Sequence, residues 1–388
     1  MLNRLSTLRG YSQSATRVPH LSGLNVAPWL ILVLSALLPL PSLAQIPQPQ
    51  QGSVQGVPRS LDGSDVPRPI FELHSGFWLN LHHFLYEQAR IRDQEEIIRG
   101  EGGSLPVPNG TATKARDADS PAWQTAINYY SKNLARRDLQ VDQNMIQINN
   151  VLADLETCAD LSGTSSPTCA SGLRPEMVAV LEAAAPVYRK HWWKEQDRQN
   201  REWIESVAPL VRRIGGTLAD ELAVVYHATW PQNPIRVDVV FYAGPFGAYT
   251  SLDPTHITVS SSDPRNQGLS AFEILFHEAS HPLATAVQDG ILNACHERGI
   301  PIPRDLWHAL LFYTTGEIVR RAVADGRLRV PGESPGTMPA AYTPYAYRNG
   351  LYSRGWENYQ RLLETYWKPY LDGKTDFHQA INSLVAGL

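Results

Sequence analysis

Large apolar residues recur at helical spacing through "FELHSGFWLNLHHFLYEQARI", residues 71–91, and the Gly-rich stretch "RGEGGSLPVPNG" closes that pattern. Helical periodicity resumes at Ser120-Pro121, where serine can cap and proline fits a first turn, and runs to about Glu156. A third stretch, from Arg174 to Gly215-Gly216, predicts one or two long helices. The pattern then changes period. "IRVDVVFYA" and "THITVSS" are short and β-branched and predict strands, with "GPFGAY" and "SLDP" as turns. A helix follows, its start predicted by a capping box of Ser270 and Glu273. Another is expected over residues 306–324, and the aromatic-rich tail from Tyr342 to Leu388 is again mostly helical. The expected fold class is α+β and mostly helical: a helical region over 70–234, then a domain with a small sheet over 235–388.

Ahead of these elements the chain has a different character. Residues 1–61 contain no Asp or Glu, and Arg4, Arg9 and Arg17 precede the apolar run "APWLILVLSALLPLPSLAQ". That run is short for a membrane span and is interrupted by Pro39 and Pro41. Ser42 and Ala44 put small residues where a signal peptidase cuts. Residues 1–44 therefore predict a signal peptide and an exported, periplasmic or extracellular protein. An uncleaved anchor and an organellar transit peptide are the competing readings. Residues 45–69, rich in Gln, Pro, Gly and Ser, predict an extended linker.

Across all 388 residues the chain is 43% hydrophobic and 19% charged, an ordinary globular composition. A formal charge of -4 supplies no basic footprint for nucleic acid. No segment after the N-terminal run is apolar enough to cross a membrane. Of three cysteines, Cys158 and Cys169 flank a short polar loop and can pair in an oxidising compartment, a closure worth about 3 kcal/mol less any strain. Cys295 is left as a buried or free thiol.

The chemistry concentrates in "SAFEILFHEASHPLATA", residues 270–286. His277 and His281 lie four apart, about one helical turn, so both can offer a ring nitrogen to a single ion. Glu278 projects about 100° away, beside the ion, where it can take a proton from water. Pro282 lacks a backbone donor, so the helix should kink or end near His281. The alternative is a pair of satisfied core histidines beside a surface acid. A catalytic zinc site needs a third protein ligand. Ala284 and Val287 exclude the metzincin spacing. In the helix of residues 306–324, Glu317 shares an apolar stripe with Leu306, Leu310, Tyr313 and Ala324, and a buried carboxylate is costly unless paired or metal-bound. Glu317 is the expected ligand; an ion pair with Arg320 or Arg321 is the alternative. Gly316 suggests that another helix approaches closely there. His308 is the rival ligand, about 180° from Glu317 on a continuous helix, so at most one of the two should face the ion.

HEASH followed by Gly316-Glu317 on a second helix resembles the gluzincin branch of the zincin metallopeptidases, over roughly residues 236–325. The resemblance implies a zincin-like catalytic domain, with "THITVSS" as the edge strand beside the active-site helix. It implies Zn2+ held by His277, His281 and Glu317, Glu278 as general base, and a peptide or protein substrate. Many gluzincins carry Asp four residues after the ligand Glu; this chain has Arg321. The oxyanion formed on hydrolysis needs another donor, and Tyr345 or Tyr347 is expected to supply it from the tyrosine-rich stretch after the Glu317 helix. Two other readings stand beside the peptidase: a zinc-containing binding protein without turnover, and a helical interaction protein in which HEASH is coincidental. His74, His82 and His83 are read as polar groups of an amphipathic helix, and "HWWKEQDRQNREW" as a solvated helix face.

Overall fold

The computed structural model describes residues 68–100 (side chains to 94), 120–329 and 341–388. The readings of residues 1–44 as a signal peptide and of most of 45–69 as a linker lie outside them. The described residues belong to one compact unit, Ser64–Leu388.

The fold is α+β: mostly helical, around a small mixed sheet. Strand β1 is Phe71–His74, and helix α1 runs Phe77–Gly100. Helices α2 (Pro121–Asn133), α3 (Gln143–Asp154) and α4 (Pro175–Tyr188) follow. A π-helical turn at Arg189–Trp193 leads into α5 (Lys194–Val225). Then come β2 (Ile235–Val240), β3 (Ala248–Ser251) and β4 (His256–Ser260), followed by α6 (Leu269–Ser280), α7 (Thr285–Arg298) and α8 (Leu306–Ala324). The tail contributes α9 (Tyr345–Arg348), α10 (Glu357–Leu362), α11 (Lys368–Leu371) and α12 (Phe377–Ala386).

The sheet order is β1-β2-β4-β3. β1, β2 and β4 run parallel, and β3 is antiparallel to β4, with Thr250 opposite Ile257. Alternation along the strands divides the interior in two, as a period of two requires. Ile235, Val237, Val239, Ile257 and Val259 join a core with α5, α6, α8 and the tail helices. Val240 and Tyr249 join a second core built on α1–α4. On that second face Asp238 and His256 are buried and bond each other at 2.8 Å.

Three expectations change here. "FELH" is a strand rather than the start of a helix, because it pairs with β2 along its whole length. "THITVSS" lies inside the sheet. The edge strand next to it is β3, in a segment whose ends read as turns, and β1 forms the other edge. α5 runs through Gly215-Gly216 to Val225, with Gly215 buried and a Cβ there at ordinary contact distance from Phe276 and Ile70. Cys158 and Cys169 are joined in a disulfide, and Cys295 is a buried free thiol.

Candidate metal centre

Helix α6 carries the motif. Gly268, at φ 58°, stands at its N-cap, and no side chain caps the helix there. The expected Ser270–Glu273 capping box does not form. Buried Glu273 instead accepts hydrogen bonds from Tyr342 Oη at 2.6 Å and from the Tyr345 backbone N–H at 3.0 Å. It thereby ties the turn before α9 to α6. Gly316 of α8 makes room for this contact, since a Cβ there would lie 2.7 Å from Pro344 and 2.9 Å from Glu273 Oε1. The close approach expected at Gly316 is real, and its partner is a turn together with α6.

α6 ends at Ser280, and Pro282 sits in a 3-10 turn, His281–Leu283. His277 and His281 are thus one turn apart at the helix end, facing α8. His308 in the first turn of α8 completes a cluster whose ligand atoms all lie within 4.8 Å of one another. The three rings form a triangle with centroids 5.1 Å apart on each side. His277 Nε2 and His308 Nε2 are 3.2 Å apart. Two imidazole nitrogens on one tetrahedral ion, with bonds of 2.0–2.1 Å, would be separated by about 3.3 Å, so the cluster is near that geometry. Among the described residues His277 Nδ1 is buried without a hydrogen-bond partner, which leaves Nε2, on the side of the other rings, as the bonding end.

Burial holds all three imidazoles neutral. It pushes His277 well below the usual range, reinforced by His281 and His308, and lowers His281 to about 3 and His308 to about 4. Neutral imidazole is the ligand form. The donor set, three neutral histidines with converging nitrogens, fits a metal ion, and sets of three histidines occur at catalytic zinc.

Around the cluster stands an aromatic wall. Phe312 stacks on His277 with centroids 3.5 Å apart. Trp307 lies against His281 and His308, and Trp356 against His308. His281, His308, Trp307 and Trp356 are partly exposed, so the site opens to solvent on their side. Buried Glu278 places Oε2 3.6 Å from His281 Nε2 and accepts a hydrogen bond from Thr250 Oγ1 at 2.8 Å. Burial raises the Glu278 carboxyl to about 7, against the pull of Thr250.

Glu317 is not brought to the cluster. It pairs with Arg320 and, at 3.3 Å, with Arg321, which holds its carboxyl below the usual range although burial alone would raise it. His308, on the opposite face of the same helix, takes the place expected for it. Tyr345 is part of the wall, stacked on Phe312, with its hydroxyl 3.3 Å from Asn266 Oδ1. Tyr347 bonds Glu364 and touches Tyr352, with no contact to the histidines among the described residues. His74 pairs with Glu156, His82 with the Tyr130 hydroxyl, and His83 bridges the Leu79 carbonyl and the Tyr249 hydroxyl.

Comparison with known proteins returns no match: no family, no curated protein and no solved structure matches the chain. Among the described residues no helix is long and apolar enough to cross a membrane.

Proposed function

We propose that the protein is an exported zinc-dependent hydrolase that cleaves peptide bonds. One observation carries the reading: three neutral histidines converge from two helices, and a buried carboxylate stands beside them. A divalent ion held by His277, His281 and His308 would make a bound water more acidic and polarise a substrate carbonyl. Glu278 is placed to take the proton from the attacking water and to return it to the leaving amine. The aromatic wall keeps solvent from the protein side of the cluster. Tyr345, whose hydroxyl bonds Asn266, is the remaining candidate for the oxyanion donor, while Tyr347 is committed to Glu364.

The gluzincin likeness depended on Glu317, which is engaged by arginines. The reading retained is the broader zincin-like arrangement: a small mixed sheet whose antiparallel edge strand, β3, lies beside the motif helix. Export is supported by the composition of residues 1–44 and by the Cys158–Cys169 pair.

The test is a comparison of wild type with Glu278→Gln. Metal analysis should find equal zinc in both, and only wild type should cleave a broad peptide library. Wild type that binds zinc and leaves the library intact would exclude the peptidase and favour a metal-containing binding protein.

A further inference from the structure

The Thr250 hydroxyl lies between two acceptors of one residue. Its Oγ1 is 2.8 Å from Glu278 Oε2 and 2.9 Å from the Glu278 backbone oxygen. A hydroxyl has one proton, so it can donate to only one of them at a time. The sequence favours the carboxylate. The helical partner of the Glu278 carbonyl would be the N–H of residue 282, which is proline and has none. The carbonyl is supplied instead by the N–H of His281. That frees the hydroxyl proton for Oε2, which accepts no other hydrogen bond among the described residues.

Oε2 is also the oxygen 3.6 Å from His281 Nε2. A carboxylate beside a divalent cation bound at the three rings would be strongly attracted to it, and carboxylates are themselves zinc ligands. If Glu278 bound the ion it would fill the position that water needs. We propose that Thr250 is a positioning residue that keeps the Glu278 carboxylate beside the metal and off it. The inference rests on the metal-dependent hydrolase reading. It adds a role for β3, whose pairing with β4 fixes Thr250 against the end of α6.

The test uses the full-length protein with Co2+ as a visible probe, and the variants Thr250→Val, Thr250→Ala and Thr250→Ser. In T250V the freed carboxylate should enter the coordination shell. Co2+ affinity then rises about 10-fold and the visible absorption changes, both reverting in the T250V/E278Q double variant. With peptide substrate, kcat should fall about 100-fold with KM nearly unchanged, as expected when a reacting group is misplaced. T250S, which keeps the hydroxyl, should restore affinity, spectrum and kcat. T250A provides the same reading if T250V fails to fold. Unchanged Co2+ affinity and spectrum in T250V or T250A would overturn the inference while leaving the hydrolase reading intact. Changed spectra in a protein that cleaves no peptide would uphold the positioning role and remove the hydrolase. Wild type that binds no Co2+ would end both.

Discussion

His277 Nε2 lies 3.2 Å from His308 Nε2, although the residues are 31 positions apart on different helices. Neither ring carries charge at neutral pH, since burial depresses both. An ordinary hydrogen bond would occupy one proton between them and leave His281 aside. A shared ion uses all three. His308→Ala should therefore weaken Zn2+ binding by more than the roughly 10–100-fold that loss of an outer partner costs. Chelator competition measures this, and an unchanged affinity would remove His308 from the ligand set.

Glu317→Gln gives the converse result. Its carboxylate is held by Arg320 and Arg321, so zinc affinity should not change. Both arginines are partly in water, which limits the stability loss to about 1 kcal/mol. A fall in zinc content in this variant would restore Glu317 as a ligand.

Much of this was legible in the sequence, and the failures have physical causes. The limits of α8 and the histidines of α6 follow from periodicity and spacing. So does the opposition of His308 and Glu317. Choosing between them was not local: burial of the Glu317 stripe pointed one way and Arg320 and Arg321 the other, and the arginines decide. β1 and β3 have four residues each, too few to show a period, and exist because β2 and β4 provide partners. The contact of Thr250 with Glu278 depends on sheet register and left no sequence signal.

Gly316→Ala separates helix propensity from packing. Alanine alone would favour α8 by about 1 kcal/mol. Its Cβ would stand 2.7 Å from Pro344 and 2.9 Å from Glu273 Oε1, so the turn tied to Glu273 must move. Overpacking of this kind costs about 1–3 kcal/mol, and the net change should be destabilising. A higher thermal midpoint in G316A would show that the turn yields freely.

Stability of the metal-free protein should peak near pH 6.5. Burial lowers His83 and His308 to about 4, His281 to about 3, and His82 and His277 well below the ordinary value. Below pH 6.5 the unfolded chain protonates these histidines before the folded one does, so acid erodes stability down to each folded pKa. For His83 alone the full loss approaches about 3 kcal/mol. Glu87, Glu273 and Glu278 act oppositely: burial raises each to about 7, so the folded state holds more protons between about 4.5 and 7 and stability falls as pH rises through that range. Five histidines against three carboxyls leave a net uptake of about two protons on unfolding between pH 4.5 and 6.5. Thermal midpoints measured with a chelator present should therefore climb from pH 4.5 to 6.5 and then level or decline slightly. Zinc should raise the midpoints across this range and leave the acid limb in place, because the folded histidines are already neutral there and the unfolded chain still takes up the protons. A chelated protein whose midpoint rises steadily as pH falls from 6.5 to 4.5 would contradict the neutral, buried state assigned to these histidines.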